Sequence, residues 1–487
     1  MANALPADLC PALLWSCFDL LRQVPRGSGH EAAVLAAIRG WADAHGLAHE
    51  TDAAGNLLVR VPASPGREGL GTVVLQGHVD MVCEKNAARE FDFLTQGIDL
   101  VRDGDWIRAD GTTLGADNGI GVAAAMAAAI DPEIQHPPLE LLMTVDEETG
   151  MTGAFGLQPG FLTGRRLINC DTEEEGAIYV GCAGGGDVLA RFPLDVKERS
   201  PGREAYRIEV KGLVGGHSGL DIHHNRANAI KCLARVIAAI DEAGVSYRLT
   251  RIDGGSMRNA VPREAGCGML VRPEHAERLM AVLGDVGAVL AVEFAATDPG
   301  LTVTATAKPD CQCNRTFRKE FQRRVLRALL ATPSSVIAMS GAVPGLVETS
   351  NNLGVVRTTD EAVELVCCSR SSVGAALEAV RQGLQALYKL AGAEVTLDDS
   401  YPGWKPDMGS ALLARALAVH AEMFGEARIK AVHAGLECGL LQRANPGCDM
   451  ISVGPDIQGA HSPSERVSVP STARFYEFLG ALLAALD

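Results

Sequence analysis

Three apolar runs in the first third of the chain each break off at acidic or imidazole side chains. Residues 72–76 lead into Gly77-His78-Val79-Asp80, residues 139–145 into Asp146-Glu147-Glu148, and residues 166–170 into Asp171-Thr172-Glu173. Continuous apolar runs of this kind suit strands buried on both faces, and helix-rich intervals between them suit a mostly parallel sheet. Amphipathic spacing predicts helices over 12–23 and 31–45, a short strand at 56–61, and an Ala-rich helix over 119–130 lying against the sheet.

After Gly184-Gly185-Gly186-Asp187 the texture changes. Alternation predicts a half-exposed strand at 206–211, followed by a long helix at 225–243 and strands at 246–251 and 266–272. A helix at 274–283 and strands at 288–295 and 301–307 complete a first α+β set. A second set has helices at 317–330 and 373–390 and strands at 354–357, 362–369 and 394–397. The α/β texture then resumes, with a helix at 409–424 and strands at 428–432 and 450–454. The economical organisation is a catalytic domain in two parts, residues 1–196 and 398–487, interrupted by an inserted domain over 197–397. The expected fold class is α/β: a mixed, mostly parallel sheet flanked by helices, with an inserted α+β lid domain.

Charge narrows the partners. The 487 residues carry 44 Lys+Arg against 60 Asp+Glu, a net charge of −16, which argues against a nucleic-acid or anionic-membrane binder because phosphate neutralisation needs a basic face. The longest apolar run, 119–130, falls short of the roughly 18 residues a membrane span needs. The start of the chain lacks the basic and apolar regions of a signal peptide, so the expected location is cytoplasmic. The 13 cysteines are scattered, with no CxxC pair, and Cys311-Gln312-Cys313 and Cys367-Cys368 are poorly spaced for zinc. They read as reduced thiols, so any metal must be held by other residues.

Ligands of open parallel sheets gather beyond the C-terminal ends of the strands. There the sequence sets His78, Asp80, Glu147, Glu148 and Asp171, with Asp117 and His461 in loops that could reach the same rim. Each piece alone is ordinary: a histidine after a strand is commonly structural, and Asp117-Asn118-Gly119 suits a helix cap. Together, two imidazoles and several carboxylates can hold one or two divalent ions, and the nitrogen and oxygen donors suit zinc, cobalt or manganese better than calcium or magnesium.

The joint pattern of Gly77–Asp80, Gly115–Gly119, Asp146–Gly150 and the late His461 resembles the co-catalytic zinc exopeptidases, the superfamily of aminoacylases, carboxypeptidases and dipeptidases. Four further segments are similar to the bacterial cytosolic aminoacyl-histidine dipeptidases: Asn169–Gly176, Gly215–His223, Glu348–Asn352 and His433–Gly439. That similarity runs along essentially the whole chain. It implies that His78 and Asp171 bind one zinc, that Glu148 and His461 bind the other, and that Asp117 bridges them. Asp80 would orient His78, and Glu147 would be the general base. His217 would stabilise the oxyanion, Asn259 and Arg370 would receive the substrate carboxylate, and Glu437 its free amino group. The implied substrate is a small dipeptide with a free N-terminus, notably Xaa-His, and the implied assembly a homodimer through the inserted lid and dimerisation domain. The alternatives are an N-acyl amino-acid deacylase or aminopeptidase of the same superfamily and, from another class, a non-catalytic metal-binding or interaction protein.

Overall fold

The three apolar runs become neighbouring parallel strands at the centre of an eight-stranded mixed sheet. Its order is Ala48–Thr51, Leu57–Val61, Leu139–Thr144, Val73–His78, Arg166–Asn169, Asp449–Ser452, Ala177–Cys182 and Arg428–Val432. Val73–His78 pairs in parallel with both Leu139–Thr144 and Arg166–Asn169, in a register that sets His78 opposite Thr144 and Gln76 opposite Asn169. Asp449–Ser452 joins them in parallel, so both ends of the chain share one sheet. Antiparallel pairings carry the two strands at the Ala48–Thr51 side.

This computed structural model describes residues 3–398 and 400–487. The chain forms two compact units: Met1–Gly181, Trp404–Ala431 and Leu436–Asp487 make the first, and Cys182–Gly403 with Val432–Gly435 the second. In the first unit the helix Ala116–Ile130 is almost wholly buried. Its small residues let it lie close to the sheet; a Cβ at Gly121 would strike the Cys170 carbonyl. Around it pack Trp15, Phe18 and Leu21 from the helix Ala12–Arg22, and Leu479 and Leu482 from Val469–Ala485.

The second unit holds an antiparallel sheet that begins at Thr302–Ala307 and continues through Glu204–Lys211, Ala265–Val271 and Tyr247–Gly254. Val347–Thr358, Ala362–Ser371, Gly184–Pro193 and Glu394–Leu397 follow. Ile230, Leu233 and Ile237 of the helix Ala229–Glu242 share its core with Phe321, Leu384 and Tyr388. That helix starts at Ala229 rather than 225 because the Asn228 side chain accepts the N–H groups of Ile230 and Lys231, at 3.0 and 3.2 Å.

One expected strand is wrong. Residues 288–293 are the last turns of a helix, Ala276–Glu293, and 294–295 lie in the turn that follows it. Val286, Val289 and Val292 imitate strand composition and Gly284 and Gly287 imitate a break, but buried Leu279, Leu283 and Leu290 recur at helical spacing and hold the element as one piece. The units also divide at 181/182 and 403/404, where the sequence reading set 196/197 and 397/398. Gly184–Pro193 is the cause: it pairs with Ala362–Ser371 and Glu394–Leu397, inside the second sheet. Most of the cysteines are buried. Among the described residues no helix is long and apolar enough to cross a membrane.

Candidate active site

The parallel strands deliver their terminal side chains to one rim of the first unit. His78 ends its strand and is 1% exposed, and Asp80, two residues on, is wholly buried. The Asp80 carboxylate accepts the backbone N–H groups of Glu147 (3.1 Å) and Glu148 (3.2 Å) and the Ser28 hydroxyl (2.8 Å). Its Oδ1 also lies 3.3 Å from His78 Nδ1. Burial alone would raise its pKa, but the His78 ring and these donors outweigh that and hold it at about 2. One carboxylate thus orients an imidazole and pins the Glu147-Glu148 turn.

With Nδ1 turned to Asp80, His78 Nε2 faces Asp117 Oδ1 at 3.1 Å and Asp171 Oδ1 at 3.4 Å. From the opposite side His461 Nε2 faces Asp117 Oδ2 at 3.1 Å and Glu148 Oε2 at 3.0 Å. Asp117 lies where the first turn of Ala116–Ile130 is interrupted, and His461 adopts a positive φ of 63°, a costly conformation for a non-glycine residue and one concentrated at functional sites. His78, Asp117 and Glu148 offer ligand atoms that all lie within 4.8 Å of one another.

The donor set fits cations. The Nε2 of each imidazole meets two carboxylate oxygens, and one proton cannot serve both. Glu148 Oε1 and Asp171 Oδ1 are buried without a hydrogen-bond donor, a cost that a bound cation removes. The carboxylates also outnumber the imidazoles. Burial with the charges of Asp117 and Glu148 pushes Asp171 up to about 7, despite the opposing pull of His78. Burial with its carboxylate neighbours raises Glu147 well above its usual range. The hydrogen bonds it donates to Asp117 and Glu148 carry His461 up to about 11.

Glu437, the first residue of the helix Glu437–Ala444, belongs to the same unit and is 1% exposed. Its Oε2 accepts Gln76 Nε2 and Thr144 Oγ1, both at 2.7 Å, while Oε1 has no donor. Sequence reasoning missed these two strand residues because polar side chains inside apolar runs give no periodic signal. It also assigned nothing to Glu173, whose carboxyl hydrogen-bonds Asp117 and is pushed up to about 8 by burial and by the charges of Asp117 and Asp171. The acidic run Asp171–Glu175 was its only signal.

In the second unit His217, Asn259 and Arg370 come together. Gly216–His217 pairs with Ala260–Val261, and the Ser218 N–H donates to the Asn259 carbonyl at 2.8 Å. His217 Nδ1 accepts the N–H groups of Gly219 (3.2 Å) and Leu220 (3.0 Å). Burial and the Arg370 charge lower its pKa. The ring is therefore neutral at pH 7 with its proton on Nε2, a fixed donor. Buried Arg370 reaches the Ser218 hydroxyl at 3.5 Å and the Tyr401 hydroxyl at 3.2 Å. His433 lies beside this group, 2.7 Å from the Ser350 hydroxyl, and is held neutral with a pKa of about 3 by burial and the Arg370 charge. The Asn259 side chain is exposed. Tyr401 and His433 carry no assigned role in the sequence reading, since each acts at the end of a long-range contact.

Known proteins share this architecture. Residues 208–298 match the family model described as a peptidase dimerisation domain. The aminoacylhistidine dipeptidase of Vibrio alginolyticus superposes with a TM-score of 0.93 at 39% identity, over 100% of this chain and 99% of that one. The fold alone is shared with an aminopeptidase, PepT, of Bacillus cereus, at a TM-score of 0.57 and 17% identity over 98% and 99% of the two chains. The class is thus a metallopeptidase with an inserted dimerisation domain. The chain is also 41% identical, over 98% of both lengths, to the cytosol non-specific dipeptidase of Escherichia coli K12. It belongs to that dipeptidase family.

Proposed function

We propose that the protein hydrolyses dipeptides with a free N-terminus, those ending in histidine among them, as a dinuclear metallopeptidase of the cytoplasm. The observation that carries this is the pairing around Asp117, whose two oxygens face His78 and His461 at 3.1 Å each, with Asp171 beside one ring and Glu148 beside the other. The names of the two full-length relatives support the substrate class. His78 and Asp171 would hold one divalent ion, Glu148 and His461 the other, and Asp117 would bridge them. The donor mix fits zinc, with cobalt or manganese as substitutes. When bound, such a pair supplies Lewis acidity that polarises the scissile carbonyl and acidifies water toward neutral pH.

Glu147 takes the proton from the attacking water and hands it to the leaving amine. Asp80 keeps His78 in one tautomer and holds the Glu147 backbone still. Glu437 offers a free carboxylate oxygen to the substrate ammonium. In the second unit the Arg370 fork suits a carboxylate, with Asn259 a further donor near it, and His217 Nε2–H suits an oxyanion. A free histidine assay on an Xaa-His dipeptide and its N-acetylated form tests the reading. Hydrolysis of the free dipeptide with the acetylated form left intact is expected; preference for the acetylated form would make the protein a deacylase.

The assembly we infer is a homodimer through the second unit. The helix Ala276–Glu293 lies in the matched dimerisation segment and leaves Val289 57% and Val292 80% exposed, and the strand Thr302–Ala307 ends the sheet, paired among the described strands with Glu204–Lys211 alone. Val292→Glu is expected to shift the light-scattering mass toward the monomer. A dimer mass unaffected by it would remove this helix from the interface.

A further inference from the structure

Two charged side chains outside the proposed ligand set are buried against its backbone. Arg26 and Glu465 are each 2% exposed. The Glu465 carboxylate accepts four consecutive backbone N–H groups. Leu114 and Gly115 donate to Oε2 at 2.7 and 2.9 Å, and Ala116 and Asp117 to Oε1 at 2.8 and 3.2 Å. Glu465 also follows His461 by four residues, and its own N–H donates to the Ser462 carbonyl at 3.0 Å. One carboxylate therefore ties the backbone that carries Asp117 to the loop that carries His461.

Arg26 ties in the third loop. Its Nη1 donates to the carbonyls of Val79 and Asp80, at 3.0 Å each, and its Nη2 to the Gly115 carbonyl. The Met81 N–H returns a bond to the Arg26 carbonyl at 3.1 Å. Among the described hydrogen bonds, neither side chain touches a ligand side chain; both grip main chain beside one. Filling this space with apolar groups would be less costly than burying an acid and a base. What the charged pair adds is direction: a carboxylate with two oxygens and a guanidinium with a planar fork each fix several peptide groups at once.

Resting on the two-ion reading above, we propose that Arg26 and Glu465 are positioning residues, a buried clamp that aligns the loops of His78, Asp117 and His461 so that both oxygens of Asp117 meet imidazoles from opposite sides. Outer partners of this kind set ligand geometry without binding the ion.

The test is a Co²⁺ titration of the chelator-treated full chain, followed by the ligand-field absorption bands, for wild type, Glu465→Gln and Arg26→Lys. Glu465→Gln puts an amide donor against backbone N–H groups. Arg26→Lys keeps the buried positive charge, and with it the fold, but cannot span three carbonyls. Both variants are expected to bind Co²⁺ roughly 10–100-fold more weakly with altered band positions, while metal-free Arg26→Lys keeps a thermal midpoint near that of wild type. A folded Arg26→Lys with wild-type affinity and spectrum overturns the clamp. A wild type that takes up no Co²⁺ overturns instead the two-ion reading on which it rests.

Discussion

Glu147→Ala is expected to reduce turnover by roughly 10²–10⁴-fold, the usual contribution of a general acid–base group, with the bound metal unchanged. The expectation comes from the division of roles along the Glu147–Gly150 turn. The Glu148 carboxylate is 3.0 Å from His461, whereas among the described ion pairs the Glu147 side chain joins neither imidazole, and Glu147 is adjacent in the chain to a proposed ligand. Its backbone N–H, held by Asp80 at 3.1 Å, keeps the side chain in one place as the proton comes and goes. Turnover with elemental analysis on the same sample decides the point. Loss of rate together with loss of metal would make Glu147 a ligand, and near-wild-type turnover would move the base elsewhere.

Removing the ions is expected to abolish hydrolysis altogether, a larger effect than any single substitution at the rim. Without them nothing at the rim polarises the scissile carbonyl, and Glu147 faces water of ordinary acidity. The protein should nonetheless stay folded. The first unit rests on an apolar core of which the rim is no part, and Asp80, Glu465 and Arg26 tie main chain together beside the rim through hydrogen bonds that need no ion. Unfolding on chelation would show that the ions are structural.

The convergence of His78, Glu148 and Asp171 was legible because each lies at or within a few residues of the end of an apolar run, and parallel strands in register bring such ends to one rim whatever the loops between them do. Asp117 and His461 lie outside strands, and only the joint motif pointed to them. The clamp was not legible at all. Arg26 sits shortly after a helix and Glu465 in a polar loop, and a buried charge satisfied by peptide groups leaves no pattern in side-chain hydropathy. Helix 276–293 was split for a different reason: valine and glycine carry strand and turn signals that helical packing of Leu279, Leu283 and Leu290 overrides. The unit boundary was missed because the glycine-rich opening of Gly184–Pro193 reads as a loop, whereas its lack of side chains lets Tyr401 and Arg381 pack directly on the strand.

The central claim is that two ions, held by His78, Asp117, Glu148, Asp171 and His461, are needed for a dipeptide to be cut. The direct measurement is release of free histidine from an Xaa-His dipeptide by chelator-treated protein titrated with Zn²⁺. Activity should be absent at the start, rise with added metal and level off at about two equivalents per chain, the stoichiometry of a two-metal site. Full activity in the metal-free protein, or a plateau at a single equivalent, would contradict it.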